Sequence, residues 1–321
     1  MGEILFKILG AFTTATLAFV VGMLFGGLRR KVTARVQNRV GPPVYQNFLD
    51  LLKLQSKRTN VAHGLMGHLA PVWIIISAMT VLMFIPILHK GLWFENLTMQ
   101  GDLIFLLYMM VFGSLGMALG AGQTGNPNSA IGVTRGLSQM VGFEIPFMLA
   151  LVALMLQFKT TSISDLMLYQ EETSRWIVLE NPFAFVAALL ASLGMFRYSP
   201  FDIVGAPAEL ASGPVSEFGG KYLGTMMTGG AVFAFIKLVL YVDLFLGGAG
   251  HTELEGMAGT IVGLLELLLK TFLLYMIPVF IGLVSPRFRT EQAISFFWKW
   301  PTFFGLLAIG WALYKNGTFG H

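Results

Sequence analysis

The sequence predicts an all-α polytopic membrane protein, with about eight transmembrane helices and one cytoplasmic amphipathic helix. Of its 321 residues, 55% are hydrophobic and only 12% are charged, which is about half the charged fraction of soluble proteins. Apolar runs of about 20 residues, the length that crosses a bilayer, recur throughout the chain. A soluble domain with a large core would need more charge. We therefore expect residues 1–321 to form a single integral membrane domain.

Each predicted span is an apolar run bounded by polar or charged residues, with boundaries good to a few residues. The first run is too long for the core of a signal peptide, lacks a basic segment before it and is followed by basic residues, so we expect a retained span. The predicted spans cover residues of about 4–28, 69–88, 102–122, 139–157, 182–197, 222–246, 259–283 and 296–314.

The distribution of Lys and Arg predicts the orientation of the chain in the cell membrane. Most of these residues lie in the odd-numbered loops. The even-numbered loops and the termini hold few of them, namely Lys7, Lys90, Lys159, Arg175 and Lys315. This bias predicts that both termini are outside and that the odd-numbered loops are cytoplasmic.

The third cytoplasmic loop, at about 197–221, carries three acids, Asp202, Glu209 and Glu217. Its prolines and glycines argue against one straight helix and favour a broken, partly helical loop against the membrane end of the bundle. Carboxylates in such a place lose solvation and have raised pKa values, which suits proton handling. The alternative is an ordinary exposed loop whose acids are merely solvated.

The first cytoplasmic loop, at about 29–68, contains an amphipathic stretch. Val44, Phe48, Leu51 and Leu52 fall on one helical face, and charged residues point elsewhere. A helix lying on the inner leaflet and a surface helix docked on a soluble partner both fit this pattern.

Glu144 lies inside the predicted fourth span, five or six residues from its start. An acid within a membrane span is a candidate functional residue. The alternative is a structural pair with Arg135 or with another subunit.

Four further charged residues occupy the later spans. Glu266 and Lys270 are four residues apart in the orientation that favours a helical ion pair. Lys237 and Glu266 have similar predicted depths, which predicts pairing between their helices, as a lateral ionic relay or as a purely structural contact. Asp243 is nearer the outer surface, where we expect it to be solvated.

Cysteine is absent from the sequence, and the five histidines have no spacing that suggests a haem or metal site. The chain therefore cannot ligate an iron–sulfur cluster through thiolate. We expect no cofactor, no metal and no redox active site on this chain, so that any electrons travel in other subunits. The net charge of +4 follows from the topology and does not indicate nucleic acid.

Several ordered motifs resemble the H-type membrane subunit family of respiratory complex I and its hydrogenase relatives. In the third loop these are Pro200-Phe201-Asp202-Ile203, Glu209-Leu210, Gly213 and Glu217-Phe218. Arg135, Gln139-Met140 and Glu144-Ile145-Pro146 resemble a second family motif, with Phe143 in place of Tyr, and Pro286-Arg287 resembles a third. The resemblance spans nearly the whole chain.

The resemblance implies a coupling subunit that docks a peripheral redox arm on its cytoplasmic face. The most similar branch is the M-type subunit of the ion-translocating membrane-bound NiFe hydrogenase (group 4), in which ferredoxin oxidation drives hydrogen evolution and proton or sodium translocation, or its sulfane-reducing cousin. Partners would then be hydrogenase-type and iron–sulfur subunits, which carry the iron–sulfur clusters and a NiFe centre, and antiporter-like membrane subunits. Alternatives are a quinone-reducing relative and a stand-alone secondary ion transporter.

The residue pattern and the resemblance together predict roles for individual residues. The ion pathway would comprise Glu144, Asp202, Glu209, Glu217, Lys237, Glu266 and Lys270, and docking of the peripheral arm would involve Arg35, Arg39, Tyr45, Arg135, Arg197 and Arg287.

Two departures separate the chain from the quinone-reducing branch. Gly205 and Pro207 stand where that branch has glutamates, and neither residue titrates. Gly41-Pro42-Pro43, followed by Tyr45-Gln46, is similar to the hydrogenase branch, whereas the quinone branch usually has a Gly-Pro-Asn form. Both departures predict a chamber that does not process quinone.

Overall fold

The computed structural model describes residues 2–59, 64–88, 97–249 and 256–317, with side chains from residue 9 onward. Every regular element in these ranges is helical. In chain order the α-helices are α1 (Gly2–Val36), α2 (Gln46–Gln55), α3 (Leu65–Phe84), α4 (Asp102–Gly122), α5 (Pro127–Phe158), α6 (Ile163–Thr173), α7 (Ile177–Glu180), α8 (Pro182–Phe196), α9 (Pro207–Leu210), α10 (Gly220–Phe245), α11 (Gly256–Val284) and α12 (Thr290–Lys315).

The prediction of an all-α polytopic membrane protein is confirmed. In the described ranges, seven helices are long and apolar enough to cross a membrane, and α8 is a shorter apolar helix at the predicted fifth span. The third predicted span coincides with α4. Orientation relative to a membrane remains a prediction, and Lys90 together with the side chain of Lys7 lies outside the described part.

Helix α5 begins at Pro127, well before the predicted start of the fourth span near residue 139. The side chain of Asn126 accepts a hydrogen bond from the backbone N–H of Asn128 and so caps the helix. Pro127 occupies the first turn, where its missing N–H costs nothing. The first turns are polar, so a search for apolar runs misses them.

Successive membrane-crossing helices alternate in direction. We call the end of the bundle that carries segment 197–221 the loop side, and the opposite end the far side. Helix α5 packs in parallel with α12, and both contact α8, while α10 packs against α1, α3 and α11. The core is formed by the apolar faces that these helices turn toward one another.

Helix α1 and helix α10 approach each other at Gly22. A Cβ atom at this position would overlap the backbone carbonyl of Ala231, which belongs to α10. Small residues at crossings let membrane helices come close enough for dispersion contacts to hold them. The packing of α1 on α10 therefore requires glycine at position 22.

The predicted amphipathic helix is present as α2, but its inward face differs from the prediction. Asn47 is buried and donates to the backbone carbonyl of Met23 at 2.9 Å. Phe48 packs edge-on against Phe19, with ring centroids 5.7 Å apart. Leu52, predicted on the same face, is 68% exposed and points away.

Val44 precedes the helix, which begins at Gln46. An ion pair of 2.7 Å between Arg30 and Asp50 also joins α1 to α2, and the hydrogen bond from Arg30 lowers the pKa of Asp50. Residues 60–63 of the predicted first loop are outside the described ranges.

Helix α8 is too short to cross a bilayer by itself. Its 15 residues extend about 22 Å, against a hydrocarbon core of about 30 Å. Asn181 donates to the carbonyl of Ala308 near the far-side end of α12, and Gly194 lies against Phe297. Because Phe297 is about 10 Å along α12 from its start, α8 ends inside the bundle and the chain continues there as irregular backbone.

The close approach of α1 and α10 gives a first prediction. Gly22→Ala should lower the free energy of unfolding by about 1–3 kcal/mol, because backbone atoms cannot move aside as a flexible side chain can. The measurement is the midpoint of thermal unfolding in detergent. Gly310→Ala is the matched control, since outside the local backbone of α12 no described atom lies within 4 Å of the added methyl group. Equal midpoints for the two variants would contradict the packing described.

Candidate functional site

Segment 197–221 is a broken, partly helical loop, as predicted. It contains α9, a 3₁₀ turn at Gly213–Val215 and several turns. Four residues other than glycine have positive φ angles, namely Arg197, Ala206, Ala211 and Ser212. Each such conformation costs of order 1–3 kcal/mol and persists only where surrounding contacts hold it.

Contacts from three helices hold the start of this loop in the bundle. Gln139 of α5 is buried and donates to the carbonyl of Phe201 at 2.9 Å. Ser199 donates to the carbonyl of Ser285, just after α11, at 2.7 Å. The ring of Phe201 packs into a cluster of aromatic side chains formed by Phe288, Phe296 and Phe297.

Two arginines form ion pairs with the first two loop acids, Asp202 and Glu209. Arg287 lies between them, 3.4 Å from Asp202 Oδ2 and 3.6 Å from Glu209 Oε1. Arg135 of α5 bonds the other oxygen of Glu209 at 2.9 Å. An open cavity of about 580 Å³ adjoins Arg135, Glu209 and Arg287 on the loop side.

The environments of these two acids shift their pKa values in opposite directions. Burial raises the pKa of Asp202, although Arg287 opposes the shift. The hydrogen bond from Arg135 lowers the pKa of Glu209, which is exposed. Of the two, Asp202 is the carboxylate suited to holding a proton, while Glu209 stays ionised.

Glu217 lies apart from that pair. Its carboxylate accepts a hydrogen bond from the side chain of Asn126 at 2.6 Å, and Asn126 also caps α5. The third predicted acid is thus attached to the start of α5, the helix that carries Glu144.

Three adjoining cavities lead from the loop into the bundle, and Arg197 and Ser114 line all of them. The first, of about 20 Å³, is bounded by Val204 and Pro214 of the loop. The second, of about 200 Å³, reaches Lys237. The third, of about 40 Å³, is lined by Glu144 and Lys237 together. The largest has room for several water molecules, and its polar side chains can bond them.

Glu144 and Lys237 face one cavity without forming an ion pair with each other. Lys237 donates to the carbonyl of Met195 at 2.9 Å. The carboxylate of Glu144 is half-buried and has no hydrogen bond or ion pair within the described ranges. The alternative of a pair with Arg135 is wrong, because Arg135 bonds Glu209. Glu144 also lies near the middle of the 32-residue α5.

The predicted pairing of Lys237 with Glu266 is also wrong. Glu266 pairs with Lys270 on its own helix at 2.6 Å, as its spacing predicts. Lys237 instead faces the cavity beside Glu144. Asp243, predicted to be solvated, is fully buried, and neither of its carboxylate oxygens has a hydrogen-bond partner in the described structure.

The residues predicted to dock the peripheral arm fall into three groups. Arg35, in the last turn of α1, and Arg39 and Tyr45, between α1 and α2, are exposed on the loop side. Arg135 and Arg287 are partly exposed and bond the loop acids. Arg197 is partly buried and lines the internal cavities, and its docking role stays a prediction.

The sequence analysis did not predict that two acids, Asp102 and Asp243, are fully buried. Asp102, at the start of α4, is fully buried and accepts a hydrogen bond from the N–H of Ile163. The signal for both Asp102 and Asp243 is an acid within one or two residues of the end of an apolar helix. In the described ranges, no group of three or more His, Cys, Asp or Glu residues is arranged to hold a metal ion.

Comparisons with known proteins place this geometry in a family. A model of the NADH dehydrogenase family matches residues 8–313. The H-type subunit of NADH-quinone oxidoreductase from Bacillus cereus (strain B4264) is 28% identical over 306 residues, covering 92% of this chain and 86% of the relative. The corresponding protein of Bacillus thuringiensis (strain Al Hakam) matches with the same identity and coverage.

A solved structure is also similar. It is a chain of the membrane-bound sulfane sulfur reductase, an archaeal respiratory membrane complex, with a TM-score of 0.88 and 33% identity. The match covers 95% of this chain and 99% of that chain. The motifs, the fold and both comparisons agree: the chain belongs to the NADH dehydrogenase family, as an H-type membrane component of a complex I-like oxidoreductase.

Proposed function

We propose that this chain is the coupling subunit of a redox-driven ion pump of the hydrogenase type. It docks a peripheral arm on the cytoplasmic face and links ferredoxin oxidation and hydrogen evolution to translocation of protons or sodium. The observation that carries this proposal is the series of cavities from the acidic loop to Glu144 and Lys237. Cavities that lead into the membrane interior are not expected beneath an ordinary solvated loop.

Proton uptake begins at Asp202, whose pKa is raised by burial. Arg287 contacts both Asp202 and Glu209, so a change in one ion pair alters the field at the other acid. Water in the cavities beside Arg197 carries the proton onward. Glu144 receives the proton, because its carboxylate has no hydrogen bond or ion pair in the described structure. Lys237 lines the same cavity as Glu144.

Docking of the peripheral arm uses the loop-side surface around Arg35, Arg39 and Tyr45. These side chains are exposed and have no role in the bundle core. Arg135 and Arg287 border the open loop-side cavity, where a partner's carboxylates would compete with Glu209 for them. The arm therefore acts on the proton pathway through these two arginines.

The electrons stay in partner subunits, which hold the iron–sulfur clusters and a NiFe centre. Antiporter-like membrane subunits extend the pump laterally. The departures at Gly205 and Pro207 support a branch that does not reduce quinone. Under α2 the ring of Phe48 packs against Phe19, so apolar side chains occupy part of the space beneath this helix.

A second candidate is the same coupling role in a complex that reduces sulfane sulfur in place of protons. The observation that favours it is the 33% identity to a chain of the sulfane sulfur reductase, over 95% of this chain. Metal analysis of the intact purified complex distinguishes the two, because nickel is expected only in the hydrogenase.

A stand-alone secondary transporter is the competing class of function. Such proteins bind their substrate at the midplane between repeated halves. Here three acids concentrate in one loop, and the exposed arginines and tyrosine lie at the same end of the bundle. Purification of the chain together with stoichiometric iron–sulfur partners would support the coupling role. Ion transport by the isolated chain would support a secondary transporter instead.

Glu144 gives the principal test of the proposal. Glu144→Gln should reduce ion pumping at least about tenfold, because glutamine cannot carry a proton. Electron transfer to artificial dyes should be largely unchanged, since the redox centres lie in other subunits. Pumping is measured in sealed vesicles, with Glu172→Gln, an exposed acid at the end of α6, as the control. Unchanged pumping would remove Glu144 from the pathway.

Gly205 gives a test with a defined sign. A Cβ added at this residue lies 3.5 Å from Asp202 Oδ1, so Gly205→Glu adds a carboxylate close to Asp202. Like charges disfavour ionisation, so the pKa of Asp202, already raised, should rise further. Asp202 then stays protonated to higher pH, and the acid limb of the pumping profile should move up by roughly one pH unit. Gly205→Gln, which adds similar volume without charge, should leave the limb in place; equal shifts would contradict the mechanism.

The absence of a quinone reaction is testable with inhibitors. Hydrophobic quinone analogues should neither inhibit the complex nor protect α2 from labelling at Phe48→Cys. The measurement is enzyme turnover at increasing analogue concentration, with a quinone-reducing relative as the positive control. Tight competitive inhibition would move the protein to the quinone branch.

A further inference from the structure

The largest of the three internal cavities lies between α3, α4, α8 and α10, and we call it the central cavity. Its volume is about 200 Å³. Two cations line it, Arg197 directly after α8 and Lys237 of α10. Among the described residues that line the central cavity there is no carboxylate. The cavity is therefore positively charged, and its own described lining residues offer no opposite charge.

The guanidinium group of Arg197 uses little of its hydrogen-bonding capacity. It carries five N–H donors and is always protonated. One nitrogen contacts the sulfur of Met117 at 4.0 Å, and sulfur is a weak acceptor. Within the described ranges this guanidinium makes no other hydrogen bond and no ion pair. Its charge is thus permanent and lacks an anionic partner there.

The ammonium group of Lys237 is also without an acid. It donates to the carbonyl of Met195 at 2.9 Å and lies 5.9 Å from the centroid of the Phe196 ring. Two of its three N–H donors have no acceptor in the described part of the chain. The positive charge of Arg197 acts on this ammonium group. Two like charges at one cavity repel each other, and an anion between them removes the repulsion.

Glu144 does not serve as the counter-ion of either cation. It lines the adjoining cavity of about 40 Å³ together with Arg197 and Lys237, but it forms no ion pair with them in the described structure. A further donor is present instead. Ser114 of α4 lines both cavities, and its hydroxyl group has no hydrogen bond within the described ranges. Three donor groups therefore face the same space without an acceptor that matches them.

We propose that Arg197, Lys237 and Ser114 form a binding site for one monovalent inorganic anion, such as chloride, in the central cavity. The guanidinium and ammonium groups supply charge, and the hydroxyl supplies a neutral donor. Charge-assisted hydrogen bonds of this kind are the strong ones in proteins. The volume of the cavity accommodates such an anion together with several water molecules.

The rest of the lining favours anions that lose water easily. It consists of apolar groups and thioethers, and the thioethers belong to Met110, Met117, Met195 and Met226. These groups cannot replace the water that an anion gives up, so a strongly hydrated anion binds at a large desolvation cost. The site should therefore prefer iodide and bromide to chloride, and chloride to fluoride.

This site goes beyond the proposed function, because anion binding requires no ion pump. In a pump, the bound anion would give Lys237 a negative partner in place of Glu144. Glu144 would then not be held ionised by the ammonium group, and it could accept a proton more readily.

The test measures binding of radioactive chloride to the intact complex in detergent by equilibrium dialysis, with gluconate replacing chloride at constant ionic strength. Lys237→Met should raise the half-saturating chloride concentration at least about tenfold, because it removes one of the two charges while keeping an unbranched side chain. Lys221→Met is the matched control, since Lys221 lies on the same helix, is exposed and does not line the cavity. Sites in partner subunits cancel, because every comparison keeps the same partners.

A second variant decides the outcome if Lys237→Met does not assemble. Ser114→Ala removes only the hydroxyl group and should weaken chloride binding by about tenfold, the usual effect of losing a hydrogen bond to a charged group. Displacement of bound chloride should need less iodide than fluoride.

Two results would overturn the proposal. One is an equal chloride affinity in the parent and in Ser114→Ala or Lys237→Met, which would mean that the cavity holds water alone. The other is displacement by fluoride at lower concentration than by iodide. Because binding is read at equilibrium and without turnover, either failure leaves the proposed role of the loop and Glu144 untouched.

Discussion

The rest of the structure depends on how the chain satisfies irregular backbone at membrane depth. Helix α8 stops inside the bundle, and the irregular backbone that follows needs hydrogen-bond partners there. Gln139 donates a hydrogen bond to the carbonyl of Phe201, and Ser199 donates one to the carbonyl of Ser285. The ring of Phe201 fills the apolar space beside this backbone. Holding the segment this way leaves gaps between α4, α5 and α10, which are the cavities around Arg197. The broken loop and the polar interior therefore have one cause.

The charged groups divide by the partners available to them. On the loop side, Asp202 and Glu209 share Arg287, so neither acid is isolated. Inside the bundle, Glu144 has a cavity in place of a partner within the described ranges. On the far side, Lys270 is saturated with acceptors while Asp243 has no hydrogen-bond partner in the described structure. A carboxylate fixed by arginine responds to charge changes nearby, whereas one without a partner must bind a cation or a proton.

Hydropathy and length were sufficient for the fold because each apolar run corresponds to one helix, and α4 has the predicted bounds. The start of α5 was missed because capping by Asn126, with no apolar signal, begins that helix. Prolines and glycines predicted the broken loop, but not the direction of Arg197, which depends on a positive φ angle held by tertiary contacts. Depth alone suggested a pair between Lys237 and Glu266. In the structure Lys237 bonds the carbonyl of Met195 and Glu266 pairs with Lys270. The sequence does not show which face each helix turns toward its neighbours, and that face determines the pairing.

From the sequence, the surface arginines were predicted to dock the peripheral arm and the acids were predicted to form the ion pathway. In the structure Arg135 and Arg287 belong to both sets, because they border the loop-side cavity and bond Asp202 and Glu209. A salt bridge that is partly exposed contributes little stability and is easily exchanged for another. Under the proposed function, a partner that draws either arginine toward itself changes the field at Asp202 without moving a helix. Coupling then requires only a competition between ion pairs at the surface, and the cavities beneath Arg197 carry its result to Glu144.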